Sequence, residues 1–212
     1  MSRVSGYNVR MRRCVLAVAL CAVWVLPPAE SGEARGQASG LSQQKADALA
    51  RRLDELVRTA RQEGQQPRRL VVTEAELNSF LNLGLQGGLP EGLDDLRVRM
   101  ERDRLAASAT VDIDRVKEHM PPLSPLNPLS FLSGRVPAQI SGRLRTRDGF
   151  GSVELEEVRL GALSVPLTLV DQAVAYSTRT PQNPQGFDIN APFRLPYSIQ
   201  RVRVRPGRTL IE

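Results

Sequence analysis

Cysteine is nearly absent from this chain of 212 residues, and both copies, Cys14 and Cys21, fall close to its start. If that start is removed, no disulfide can form, and packing alone must hold the fold in an oxidising compartment. There is a single histidine, His119, and no Ser, Cys, Asp or metal-ligand partner stands at a recognisable spacing from it, so it reads as incidental. A phosphate-binding glycine loop after a strand, a His-Glu zinc motif and a nucleophile elbow are all missing, which argues against an enzyme. Aromatic residues make up 4% of the chain, so leucine, valine and alanine must fill the interior. Basic residues are interleaved with acidic ones, which, together with export, argues against nucleic acid as a partner.

The start of the chain explains part of its charge. Arg10, Arg12 and Arg13 precede an apolar run from Cys14 to Leu26, then Pro27, Pro28 and the small-residue site Ala29-Glu30-Ser31. This is the three-part layout of a secretory signal over residues 1–31, with cleavage expected near Ser31. The run is short for a bilayer span, which needs ~20 residues; retention as an uncleaved N-terminal anchor is the alternative. Leu20 precedes Cys21 where a lipoprotein would need a small residue, so lipid attachment is not expected. Removing residues 1–31 takes away four arginines and one glutamate, and the net charge falls from +6 to +3. The expected location is the periplasm or the outer side of the cytoplasmic membrane. Residues 32–41, rich in Gly, Ala and Ser, read as a flexible tether, and residues 42–212 as one domain.

Leu49, Leu53, Leu56, Val57 and Ala60 recur at spacings of three and four, which predicts an amphipathic helix from Ser42 to Glu63, stopped by Gly64. Its stripe is expected to pack on the domain's sheet. After a short strand at Leu70 to Val72, Thr73 and Glu76 have the spacing of a capping box and predict a second helix through Leu81, ended by Gly84. Asn78 on that helix reads as a local hydrogen-bonding device.

Two hairpins follow. In the first, Leu96, Val98 and Met100 alternate with charged residues up to a turn at Arg102-Asp103, and Leu105, Ala107, Ala109, Val111 and Ile113 resume the alternation. Asp112 and Asp114, two apart on the outer face, read as meeting water or arginines, and no metal is expected. In the second, Val136, Ala138, Ile140 and Leu144 lead to the tight-turn pair Asp148-Gly149, and Val153 and Leu155 continue beyond it, setting Arg143 opposite Glu154. Between the hairpins lies a proline-rich apolar loop with Met120, Leu123, Leu126, Leu129 and Phe131, expected to act as the lid or rim of a cavity. Gly161 to Pro166 leads into a helix on which Leu167, Val170 and Val174 share a face, ending near Thr178. The last strands are expected at Tyr197 to Arg205 and Arg208 to Ile211, turning at Pro206-Gly207. Arg201, Arg203 and Arg205 then project to one side as a basic ridge without an obvious acidic partner, suited to phosphate groups. The competing reading of that ridge is a solvated strand face.

The stretch Val72 to Leu81, the Leu96 to Ile113 hairpin and the Gly161 to Pro166 exit resemble small exported lipid-binding proteins of the LmeA and YpmS type. Those resemble half of a TULIP domain, in which a curved antiparallel sheet wraps a long helix and leaves a lipid-accepting groove. The resemblance covers roughly residues 71–211 and does not extend to the proline-rich loop. It implies that Glu76, Leu77 and Asn78 fix a helix start. It also implies that Leu96, Val98, Met100, Val111, Ile113, Val136, Ile140, Leu144, Val153 and Leu155 line the groove.

The expected architecture is therefore α+β, a curved antiparallel sheet packed around a long amphipathic N-terminal helix with shorter helices. The leading expectation for function is a binding protein that holds or transfers a phospholipid-like acyl ligand, with Leu123, Leu126 and Phe131 at the rim and Arg201, Arg203 and Arg205 at the headgroup. A peripheral membrane contact accompanies it; no cofactor is expected. The alternative is a non-enzymatic structural or interaction protein of the cell envelope, its sheet closed by its own helices.

Overall fold

The computed structural model describes residues 40–60, 69–85, 89, 92–118, 128–181 and 183–212. The signal and most of the tether, the end of the first helix with Gly64, and His119, Leu123 and Leu126 lie outside the described residues. The fold is α+β. Its larger sheet is antiparallel, built from β2 (Leu93–Met100), β3 (Arg104–Asp112), β4 (Arg135–Arg147), β5 (Phe150–Leu160) and β6 (Leu163–Ser164), with β7 (Phe193–Arg194) added to β5. A second sheet runs β1 (Leu70–Thr73), β9 (Arg208–Ile211), β8 (Val202–Arg205). The helices are α1 (Gln43–Ala60), α2 (Glu74–Ser79) extended by a π-helical turn Phe80–Gly84, α3 (Ile113–Glu118) and α4 (Leu167–Ser177).

Both hairpin turns form as their sequences predict. Asp148 and Gly149 have φ of 50° and 80°, and Asp103 has φ of 56°, the positive values a two-residue hairpin turn requires. What the alternation does not predict are two bulges. In β2 the pairing slips between Asp94 and Arg97, with Asp95 at φ 53°. The extra residue lets Leu93 and Leu96 both face inward, so the strand begins three residues before the regular alternation does. In β5 the partners jump from Leu155↔Gly142 to Glu157↔Ser141, leaving Glu156 as the extra residue. Gly142 is needed there, because a Cβ would stand 2.8 Å from the Glu154 carbonyl oxygen.

Three boundaries differ from expectation. Ile113 starts α3 instead of ending β3, because the Asp112 carboxylate accepts the N–H groups of Asp114 and Arg115 at 3.2 and 3.3 Å and caps the helix. The Asp114 carboxylate accepts the Gly134 N–H at 2.8 Å, so both aspartates are occupied by backbone N–H groups. The last hairpin begins at Val202 instead of Tyr197, since Tyr197 and Ser198 have φ near +57° and interrupt the strand. Leu167 is 37% exposed, while Val170 and Val174 are buried, so the apolar face of α4 is shorter than its sequence suggests.

Two cores result. The large-sheet core joins Leu96, Val98, Val111, Ile140 and Val158 to Val170, Val174 and Ile189. The stripe of α1, Leu49 and Leu56, packs with Leu70 and Val72 of β1 and with Leu195 and Ile199, so this helix sits with the small sheet rather than across the large one.

Candidate functional site

Backbone groups on a strand edge must find partners or face solvent, and this fold closes several edges with side chains. Along β2, Glu74 accepts the Met100 N–H (2.8 Å), Asn78 accepts the Val98 N–H (2.6 Å) and donates to the Val98 carbonyl (2.8 Å), and Asn82 donates to the Leu96 carbonyl (2.6 Å). These residues stand four apart on one helical face and act as a substitute strand. On β1, Arg52 donates to the Val71 carbonyl at 2.9 Å. On β8, the Thr146 hydroxyl donates to the Val202 carbonyl and accepts the Val202 N–H, both at 2.8 Å, and Asp103 N–H donates to the Val204 carbonyl at 3.2 Å. The capping box also forms: Glu76 accepts from Thr73 N–H and hydroxyl, and its second oxygen takes Arg52 at 2.6 Å. Burial raises the Glu76 pKa, but these hydrogen bonds outweigh it and hold the carboxyl below its ordinary range.

The edge of β5 is treated differently. β7 covers it only at Phe150 and Gly151, and β6 only at Arg159 and Leu160. The register with β4 turns the peptide groups of Val153 and Leu155 outward, into the gap between them. There an open concavity of about 330 Å³ has Val153, Leu155 and Leu167 as its apolar floor. Arg145, Glu154, Asp171 and Asn190 form its polar rim. Arg145 and Glu154 are joined by an ion pair at 2.9 Å. Ser152 completes the lining, which thus offers both apolar contact and hydrogen-bonding groups.

The expected lining residues divide into two groups. Leu96, Val98, Met100, Val111, Ile113 and Ile140 are at most 7% exposed, covered by the protein's own side chains. Val136, Leu144, Val153 and Leu155 keep partial exposure, and Leu144 and Val153 are cross-strand partners at the concavity end of the sheet. Phe131, from the expected rim, is 79% exposed. The basic ridge is not uniform. Arg203 pairs with Glu212 at 3.0 Å, and Glu212 also takes Arg69 at 3.1 Å, so the expectation that the ridge lacks an acidic partner fails at Arg203. Arg201 and Arg205 flank it, Arg205 being exposed.

The outer sheet face carries a compact charge network that alternation alone does not reveal. Arg143 and Glu154 are Cα partners as expected, but the bulge offsets their side chains, and the ion pairs run diagonally. Glu156 accepts Arg104 and Arg143, both at 2.6 Å, while Arg104 also reaches Glu101 (3.1 Å) and Ser141 (2.8 Å). The hydrogen bonds from Arg104 and then Arg143 hold the Glu156 carboxyl below its ordinary value of 4.5. A depressed folded pKa stabilises the protein above the unfolded pKa and ceases to do so as pH falls through the folded value. Melting temperature is therefore expected to fall more steeply below pH ~4.5 in the wild type than in Glu156→Gln, with the variant the less stable at neutral pH. Thermal melts between about pH 3 and 7 check this, and parallel pH profiles would remove Glu156 from the account.

Among the described residues there is no group of three side chains placed to hold a metal ion, and no helix is long and apolar enough to cross a membrane. No known protein family, no curated protein and no solved structure matches this chain.

Proposed function

We propose that this chain is an exported lipid-binding protein that holds or transfers a phospholipid-like ligand, with the acyl chain lying along the open end of the large sheet. The observation that carries this reading is the continuity of the core's apolar face into the concavity: from buried Ile140 and Val158 it runs along β5 through Leu155 to Val153, both of which line the concavity with Leu167. Such a floor suits methylene groups because it requires no polar partner. A volume of about 330 Å³ lies at the small end of ligand sites. The outward peptide groups of Val153 and Leu155 and the rim guanidinium of Arg145 supply hydrogen bonds to ester and phosphate oxygens. The Thr146–Val202 clip brings the arginine-bearing β8 to the same end. The LmeA- and YpmS-like stretches point the same way, and a location outside the cytoplasm belongs to this proposal; the N-terminal helix, packed with the small sheet, takes no part in the groove.

Val153→Asp places a charge on the partly buried floor, and circular dichroism checks that the variant is folded. Fluorescence of an NBD-labelled phosphatidylglycerol is expected to show saturable binding to the wild type and at least a tenfold weaker Kd for the variant, about 1.4 kcal/mol. Equal binding by both proteins would move the ligand away from the concavity.

A second reading, a closed structural or interaction module of the envelope, is favoured by the six buried lining residues, of which Leu96, Val98, Val111, Ile113 and Ile140 share a core with α4 and Ile189, while Met100 meets Thr209 of the small sheet. It predicts no saturable lipid binding in either protein.

A further inference from the structure

Two hairpin turns dock against each other at one end of the molecule. Gly207 N–H donates to the Met100 carbonyl at 3.0 Å, Asp103 N–H to the Val204 carbonyl at 3.2 Å, and Glu74 N–H to the Gly207 carbonyl at 2.9 Å. These bonds set the Arg102-Asp103 turn beside the Pro206-Gly207 turn. Arg102, Arg205 and Arg208 are all exposed there, and Arg205 and Arg208 are directly opposed in the β8–β9 register. Like charges facing across a strand pair destabilise it. Many arginines elsewhere are matched, Arg104 and Arg143 to Glu156, Arg145 to Glu154, Arg203 to Glu212 and Arg135 to Asp94, while Arg97, Arg99 and Arg201 have no ion pair among the described residues but lie on or next to strands instead of at a shared tip. The nearby carboxylates of Glu101 and Glu74 are occupied by Arg104 and by the Met100 N–H, and the exposed Asp103 is the one acidic residue within the two turns. Among the described residues, no carboxylate forms an ion pair with Arg102, Arg205 or Arg208.

We infer that these two docked turns are the contact by which the protein seats on an anionic phospholipid surface, with Arg102, Arg205 and Arg208 taking lipid phosphates. The inference rests on the lipid reading and replaces the ridge Arg201, Arg203, Arg205 with a set drawn from two turns. Geometry favours a bilayer surface over a polynucleotide. The three guanidinium groups are gathered at one tip, and on the adjoining sheet face Glu154, Glu156 and Glu157 are taken up in ion pairs with Arg145, Arg104, Arg143 and Arg159, so that face offers a polynucleotide no continuous cationic track. Register also places this tip at the sheet end that holds the concavity, since Arg104 is opposite Arg143 and Arg145 opposite Ser152.

The test is cosedimentation of the full chain with vesicles of phosphatidylcholine, with and without phosphatidylglycerol as one third of the lipid. The wild type is expected to bind only the anionic vesicles and to dissociate in about 0.5 M NaCl, where screening is strong. Each juxtamembrane arginine contributes about fivefold, so the Arg102→Ser, Arg205→Ser, Arg208→Ser triple variant is expected to lose about a hundredfold in partitioning. Arg208→Glu gives the decisive control: it turns a repulsive cross-strand pair into an attractive one, so its unfolding midpoint should equal or exceed the wild type's while vesicle binding falls. Binding of the labelled lipid in the concavity should persist in both variants, which separates this inference from the reading it rests on. The inference is overturned if the triple variant binds vesicles like the wild type, if neutral and anionic vesicles bind alike, if free inorganic phosphate displaces the protein at matched ionic strength, or if duplex DNA binds more tightly than the vesicles.

Discussion

Replacing Asn78 with alanine is expected to lower the folding free energy by about 3 kcal/mol. Its side chain closes both backbone groups of Val98, accepting the N–H at 2.6 Å and donating to the carbonyl at 2.8 Å. Each lost bond is worth about 1 kcal/mol, and leaving partly buried groups unsatisfied adds their desolvation cost. The neighbouring clips at Met100 and Leu96 depend on the same helix face, so the loss propagates along the β2 edge. Asn78→Asp, which keeps the acceptor and removes the donor, is expected to fall between. Urea unfolding measures both. A change below about 0.5 kcal/mol in Asn78→Ala, the range of an ordinary surface substitution, would show that water replaces the clip.

Ile140→Asp is expected to prevent stable folding. Ile140 is 3% exposed and is the cross-strand partner of Ala107 and Val158, themselves 4% and 1% exposed. An unpaired carboxylate there has neither solvent nor a cation, and either its desolvation or its forced protonation costs several kcal/mol. That is a large share of the stability of a domain this size. Val153→Asp, on the same sheet face but only partly buried, should cost about 1–2 kcal/mol and stay folded, because its carboxylate can reach solvent. Circular dichroism and solubility distinguish them. A folded Ile140→Asp with a wild-type midpoint would mean that water reaches the middle of the sheet, and the groove would then extend along its whole length.

The contrast between these positions marks what the sequence could and could not convey. Period-two alternation places Ile140 and Val153 on one face, and it does so correctly, because side-chain direction is local. It is silent on whether α4 and Ile189 cover that face, which depends on contacts across tens of residues. The turn pairs Asp148-Gly149 and Arg102-Asp103 and the capping box at Thr73 and Glu76 were legible for the same local reason. The bulges at Asp95 and Glu156 were not: an extra residue is tolerated only when the partner strand supplies a small residue such as Gly142, or when an aspartate accepts positive φ. Asn78 reads in the sequence as a local hydrogen-bonding device, but its partner is a strand edge 20 residues away. The concavity rests on the shortness of β6 and β7 and on Asp171 and Asn190, none of which carries a distinguishing pattern. The arginine tip needed the docking of two turns more than 100 residues apart.

Native mass spectrometry of the full chain, produced in an export-competent host and purified from its envelope fraction, tests the central claim most directly. The account predicts a one-to-one lipid adduct, extractable into organic solvent, present in Arg208→Glu and absent in Val153→Asp. A bare protein mass that stays unchanged after incubation with phospholipid vesicles would contradict it and leave the closed envelope module as the reading that stands.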